Sequence, residues 1–343
     1  MAASSLDHVL SSLRAAGEPT RMRILAVLSQ GELAVSELCK VLAQTQPRVS
    51  RHLKLLVEAG LLERNPQGTS AFYRLARTGP GHQITSSILD FVDENDPTIV
   101  GDRQRLEAIR EERALKADAY FESIATDWDA VRDRHVADEE VEAAMVREIG
   151  DQDVANLLDV GTGTGRVLEV FADRIERGIG IDRSQQMLDL ARSRLDNDGL
   201  RHCSVRQGDI YALDIAPGSV DVAVVHHVLH FLDDPVSALE EITKTIAKGG
   251  RLIIVDFAPH QLETMRSDYA HHWLGFAEQD VISWCSDAGI GDMKVQHLHP
   301  QSPTDESLTV TIWSGVQTLE APRTLYSKAV SYTHLTLPTI YSV

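Results

Sequence analysis

Three things are scarce in this sequence, and each scarcity excludes a class of protein. There are 3 cysteines in 343 residues, Cys39, Cys203 and Cys285, widely separated and odd in number. That argues against a disulfide framework and fits a reducing compartment. No apolar run approaches the roughly 20 residues that span a bilayer, and residues 1–10 lack the basic end and long apolar core of a signal peptide. The expectation is a cytoplasmic protein with no membrane partner. Positive charge is the third shortage: 33 Lys+Arg face 51 Asp+Glu, a net charge of −18, which taken alone argues against a nucleic-acid partner.

The average hides an asymmetry. Residues 1–80 hold 10 basic and 6 acidic side chains, a balance of +4, whereas the rest holds 23 and 45, a balance of −22. A chain of this length exceeds the usual single domain, and the charge split separates a mildly basic N-terminal unit from an acidic remainder.

In the N-terminal unit, Pro19 introduces a helix over residues 21–28, Gly31 closes it, residues 35–42 read as the next helix, and Thr45-Gln46-Pro47 starts a third. Val49, Leu53 and Leu56 recur at helical spacing and face the core. Gln46, Arg48, Ser50, Arg51, His52 and Lys54 are left outside. Two helices joined by a short connection, the second with a basic and polar face, make a helix-turn-helix whose second helix can enter a DNA major groove. Residues 61–64 and 71–75, joined through Asn65-Pro66-Gln67-Gly68, read as a β-hairpin, a wing.

Through Glu18-Pro19-Thr20-Arg21, Gln46-Pro47-Arg48-Val49-Ser50-Arg51-His52-Leu53 and Ala59-Gly60-Leu61-Leu62, residues 6–76 resemble the ArsR/SmtB winged-helix repressors. The resemblance implies a double-stranded DNA operator as partner and a homodimer reading two half-sites. Many such repressors sense metal through a Cys-x-Cys pair. Here Ala34 and Ser36 stand in those places and Cys39 is alone. One thiol without a second soft ligand makes no closed thiolate site, so no metal site is expected and Cys39 reads as a small buried hydrophobe.

The acidic remainder is organised around Leu157-Leu158-Asp159-Val160-Gly161-Thr162-Gly163-Thr164-Gly165-Arg166: a short apolar strand, three glycines at alternate positions, then an amphipathic segment. Glycines there allow a tight turn and a close ligand approach. Their even spacing differs from the dinucleotide fingerprint, whose second and third glycines stand three apart. Asp182 ends a second strand-like run 21 residues after Gly161, near the roughly 20-residue offset of a ribose-binding carboxylate. With Gln207-Gly208-Asp209-Ile210, the run over residues 220–227, and Lys248-Gly249-Gly250-Arg251 before residues 252–256, this half resembles the class I S-adenosylmethionine (SAM)-dependent methyltransferases, UbiE-like enzymes among them.

The fold implied is α/β: an N-terminal winged helix-turn-helix domain and a C-terminal Rossmann-like seven-stranded methyltransferase sheet. The helix over residues 280–288 and the strands over 293–298 and 308–313 then supply its antiparallel edge. The resemblance also implies site roles. Gly161, Gly163 and Gly165 give backbone approach, Asp182 accepts from the ribose hydroxyls, Asp209 and Ile210 meet the adenine, Asp159 orients the ammonium group directly or through water, and Arg183 and His226 line the cofactor pocket. His226 and His260 are the candidate catalytic bases, since an imidazole titrates near neutrality. His226, His227 and His230 follow the fourth strand, but their clustering lacks a clear ligand spacing. Tyr120, Phe121 and Trp128 read either as a cofactor cap or as pins holding a helix to the sheet.

The expected domains are residues 1–92 for the DNA-binding unit, 93–149 for a helical connector and cap, 150–318 for the methyltransferase, and 319–343 for a tail. Residues 331–343 change composition abruptly and are read as non-native. Whether the chain is an enzyme stays open at this point. A regulator that binds SAM or S-adenosylhomocysteine as an effector, controlling methionine and SAM-cycle genes, stands beside an active methyltransferase of a small-molecule acceptor with an autoregulatory DNA-binding domain. A fused arsenite methyltransferase is weaker, because that chemistry needs several thiolates and only Cys203 and Cys285 lie in the catalytic half.

Overall fold

Local chemistry starts each helix of the N-terminal domain. Helix α1 (Leu6–Ala16) begins at Ser5, whose side chain accepts the His8 N–H, and α2 (Pro19–Leu28) at Glu18, whose carboxylate accepts the Arg21 N–H at 2.9 Å. A two-residue strand β1 (Leu33–Ala34) leads into α3 (Val35–Leu42), where Glu37 reaches back to the Ala34 N–H at 2.9 Å. Helix α4 (Gln46–Glu58) has Pro in its first turn and buries Val49, Leu53 and Leu56. The hairpin β2 (Leu62–Gln67) and β3 (Ser70–Leu75) completes a three-stranded sheet in the order β1-β3-β2, and α5 (Gly79–Leu89) follows. This computed structural model describes residues 5–67, 70–76, 79–124, 138–150, 154–300 and 307–319. The side chains of Tyr120, Phe121 and Trp128, and the tail over residues 331–343, lie outside the described residues.

The long helix α6 (Pro97–Ile124) leaves the winged domain but stays tied to it. Arg23 forks onto the buried Asp102 carboxylate at 2.6 Å through each nitrogen. Such a bidentate pair fixes orientation as well as distance. Three turns further along, Arg113 binds Glu37 of α3 with one nitrogen and Asp233 of the C-terminal domain with another.

The C-terminal domain runs α7 (Asp138–Ile149), β4 (Val154–Val160), α8 (Arg166–Phe171), β5 (Ile175–Asp182), α9 (Gln185–Asn197), β6 (Cys203–Gln207) and β7 (Val220–His226). It continues through α10 (Pro235–Thr245), β8 (Ile246–Phe257), α11 (Thr264–Asp268), α12 (Glu278–Asp287), β9 (Ile290–Leu298) and β10 (Val310–Gln317). Its seven strands lie in the order β6-β5-β4-β7-β8-β10-β9, with β10 antiparallel to both neighbours and the first five strands parallel. The chain builds outward from β4 to β6 and then crosses to β7. The crevice for a ligand therefore opens at the carboxyl ends of β4 and β7, where the strand order reverses.

Alternation along the strands sorts the core into two faces. Leu157, Val222, Val224, Ile253 and Val255 pack with α7 and α8 on one side, and Leu158, Val160, Ala223, Val225 and Ile254 pack with α10 and α12 on the other. The second cluster also takes in Ala34 and Phe72 of the winged domain. On β3 the same alternation turns Tyr73 into the winged domain's own core and Phe72 out of it. Phe72 meets Trp273 at 5.2 Å and His272 edge-on at 5.5 Å, with the Arg266 guanidinium over its ring at 5.3 Å. Arg74, two residues along β3, pairs with Asp280 at 3.6 Å. The wing is thus seated on the C-terminal domain.

Phe72→Ala should lower unfolding stability by about 3 kcal/mol, as for a buried aromatic truncated in a core. Chemical denaturation of the full chain measures it. A loss under about 1 kcal/mol would mean that the wing does not rest on this contact.

Candidate functional site

The strand β4 ends in the turn Gly161 to Gly165, and the turn is fixed by its neighbour strand. The Gly161 and Thr162 N–H groups both donate to the Ile181 carbonyl, at 2.7 and 3.0 Å. Gly161 sits at φ +73°, and a Cβ there would lie 2.4 Å from the Val228 side chain. Only glycine fits that position. Asp182, at the end of β5, accepts the Gly163 N–H at 2.8 Å on one oxygen and the Ser184 N–H at 2.8 Å on the other. The carboxylate is therefore aimed before any ligand arrives.

Above this turn lies a cavity of about 500 Å³, a size ordinary for small-molecule sites. Gly161, Thr162, Gly163, Asp182, Arg183, Gly208, Asp209, Ile210 and His226 all line it. The positions singled out for a nucleoside are brought together: an aimed carboxylate at Asp182, a second at Asp209, and apolar walls at Ile181, Met187 and Ile210. A ribose and an adenine ring fit that donor and acceptor set.

Four expected site residues are placed elsewhere. Asp159 is fully buried behind the wall and accepts the Thr162 hydroxyl at 2.5 Å, so it braces the turn instead of facing the cavity. Gly165 caps α8 at φ +81°, where a Cβ would press on Ala191 at 3.2 Å; its glycine serves helix packing. His260 is outside the cavity wall, edge-on to Phe257 at 6.3 Å, with its Nδ1 accepting the Leu262 N–H. His52 is half-buried and turned towards Glu18 at 3.5 Å, away from the exposed face of α4. Gln46, Arg48, Ser50, Arg51 and Lys54 are exposed on that helix. Cys39 is half-buried against the winged-domain core, and burial raises its thiol pKa.

Other wall residues come from pairings distant in sequence. Arg113 reaches in from α6, and Phe231, Arg266, His271 and His272 arrive from the segments after β7 and β8. His272 is the same residue that meets Phe72 of the wing, and Arg113 the same that binds Glu37 of α3. From His227 on the wall inward, His227, His230 and Asp256 converge, with the His230 Nδ1 2.8 Å from an Asp256 oxygen. Asp256 lies 26 residues after His230, beyond any local spacing rule. Burial pushes its carboxyl up to about 6.

The two C-terminal cysteines do not meet. Cys203 packs in the core on one face of the sheet and Cys285 in the core on the other. Burial pushes their thiols up to about 11 and about 12, so neither offers a thiolate near neutrality.

A winged helix-turn-helix beside a doubly wound sheet with a ligand crevice at its switch point defines a DNA-binding module joined to a class I methyltransferase fold. Residues 18–64 match the family model described as bacterial regulatory protein, arsR family, and residues 158–254 the model described as methyltransferase domain. The chain carries both: an ArsR-type helix-turn-helix domain followed by a methyltransferase domain. It is 50% identical over 60 residues to the arsenical resistance operon repressor of Escherichia coli, covering 17% of this chain and 51% of that one. It is 26% identical over 140 residues to the ubiquinone/menaquinone biosynthesis C-methyltransferase UbiE of a Geobacter strain, covering 38% and 57%. It is also 34% identical over 139 residues to a protein of transposon TN4556 from Streptomyces fradiae, covering 40% and 37%. The matches thus span between about a third and just over half of these relatives' lengths.

His272 gives the interface a pH signature. Burial, then the nearby Arg113 and Arg266 guanidinium groups, hold its pKa well below the ordinary imidazole value. The unfolded chain therefore binds a proton that the folded one refuses, and stability is lost as pH falls through about 6.5. His272→Gln should flatten that loss. The difference between wild type and variant should grow by no more than ~1.4 kcal/mol per pH unit on the acid side, read from denaturation midpoints between pH 7 and 5.

Proposed function

We propose that the protein is a DNA-binding regulator whose methyltransferase domain binds SAM or S-adenosylhomocysteine as an effector, so that occupancy of the cavity shifts operator affinity. One observation carries this reading: the cavity wall and the DNA-binding domain share residues. His272 lines the cavity and packs on Phe72 of the wing; Arg113 lines it and pairs with Glu37, the residue that caps α3 of the helix-turn-helix. A ligand that moves either residue changes the contacts of a DNA-reading element. Linkage then requires that operator DNA change ligand affinity by the same factor.

Asp182, Asp209, Ile210, Arg183, His226 and the Gly161 to Gly163 backbone would hold the cofactor. Bound there, it would supply an electrophilic sulfonium methyl. The chain's part in any transfer is to bind, orient and exclude water, because such a transfer needs mainly proximity and an in-line approach. His226, at the cavity wall with its ring centre 4.7 Å from that of His227, is positioned to take a proton from an acceptor. That placement favours a second reading, an active methyltransferase of a small molecule with an autoregulatory DNA-binding domain, and the two are compatible.

A regulator that reads SAM or its demethylated product suits genes of methionine and SAM turnover, which are the targets we infer. The exposed Leu6, Leu10 and Leu13, at helical spacing on α1, supply an apolar stripe for a homodimer. Double-stranded DNA is then the macromolecular partner and the cytoplasm the place of action.

The deciding experiment is a gel-shift titration on an operator selected from random DNA, with and without SAM or S-adenosylhomocysteine. Affinity should change by roughly 5- to 150-fold, the usual range of coupling. Asp182→Ala should keep the ligand-free affinity and lose the response. Equal affinity at all ligand concentrations would leave the enzyme as the better reading.

On the DNA side, Arg51→Ala should weaken specific binding by roughly 1–3 kcal/mol if its guanidinium reads a base edge. Fluorescence anisotropy at fixed salt checks it, and unchanged specific affinity would remove Arg51 from the contact set.

A further inference from the structure

We propose that His227, His230 and Asp256 bind one divalent transition-metal ion, of the zinc or ferrous class, with an open coordination position towards the cavity. Their ligand atoms all lie within 4.8 Å of one another, and all three residues are buried. The proposal stands apart from the effector reading, since it needs neither SAM nor DNA.

The donor set comes first. Two imidazoles and a carboxylate suit a borderline divalent ion, and three protein ligands with one position left over is the pattern of sites that bind or activate a small ligand. The His230 Nδ1 and the Asp256 oxygen are 2.8 Å apart. That is close to the separation of neighbouring ligands on one ion, roughly 3 Å for bonds of roughly 2.1 Å. A proton holds the pair now, and an ion in its place would release that proton.

The surroundings hold the ligands in place. Asp256 accepts the backbone N–H of Phe257 at 2.8 Å and of His230 at 3.3 Å, an outer shell that sets the carboxylate's direction. His271 lies over His230 with ring centres 4.0 Å apart, and Phe257 meets both rings, which gives the group a water-poor wall. His227 is held at φ +56°, its N–H donating to the Val255 carbonyl at 2.8 Å. That backbone region is unfavourable for a residue other than glycine and persists where the surroundings impose it. The same conformation leaves His227 on the cavity wall. The open position therefore lies on the His227 side, towards the cavity, and an oxygen or sulfur donor that forms an anion is the ligand class it would take.

The test uses untagged full-length protein stripped by a chelator and titrated with Co²⁺, whose visible bands report nitrogen and oxygen ligation. One Co²⁺ per chain, displaced by Zn²⁺, is expected. His227→Gln should weaken binding at least 10-fold with circular dichroism unchanged, and His260→Gln should leave it as in the wild type. Asp256→Asn removes an acceptor of two backbone N–H groups, so His227→Gln carries the decision. No stoichiometric binding by the wild type, or equal binding by His227→Gln, would overturn the site and leave His230 and Asp256 as a hydrogen-bonded pair only.

Discussion

One guanidinium group holds the two halves of this protein in register. Arg113 is placed by a long helix and clasped between Glu37 of the DNA-binding domain and Asp233 of the methyltransferase domain. Both carboxylates and the arginine are largely removed from water, so each partner's charge is compensated only while the clamp is closed. Removing one member of such a group leaves an uncompensated charge behind, which is why a clamp of this kind acts as a constraint on geometry more than as a source of net stability. Glu37 uses its other oxygen to cap α3. A shift at Arg113 is thereby a shift at the start of a helix-turn-helix element.

The apolar contact beside the clamp works with it. Phe72 is carried on a wing strand whose other face is committed to the winged-domain core through Tyr73, so the wing cannot turn Phe72 away without disturbing its own packing. Its partners His272 and Trp273 belong to the stretch after β8, and the Trp273 indole N–H is held by the Leu232 carbonyl at 2.6 Å. Leu232 and His272 both line the cavity. The floor of the ligand site and the seat of the wing are one packed unit, and packed units shift between discrete arrangements more readily than they deform.

How much of this could be read from the chain depended on distance along it. The glycine turn, Asp182 and the exposed face of α4 rest on spacings of fewer than about two dozen residues, where helix period, strand period and turn chemistry are decisive. Even there the packing around a residue decides which way it turns. His52 stands three residues after Val49 and four before Leu56, which puts it at the edge of the core face, and the structure accordingly finds it half-buried against Glu18. Gly165 shared the alternate spacing of Gly161 and Gly163 but serves the helix cap. Asp159 lay next to the glycines and braces them. The pairings of Phe72 with His272 and of His230 with Asp256 had no local signal, because strand order and domain seating decide them.

The cysteines show the same point from the other side. Two cysteines in the C-terminal half are too few for chemistry that needs several thiolates, and their placement adds a physical reason. A metalloid held by thiolates needs sulfurs converging on one point with their protons gone, and here Cys203 on β6 and Cys285 on α12 lie on opposite faces of one sheet, each in an apolar core that favours the thiol. The imidazoles were sorted in the opposite sense. Strand order brings the ends of β7 and β8 together, and with them three histidines and a carboxylate. In the C-terminal domain it is carboxylates and imidazoles, not thiols, that line the cavity.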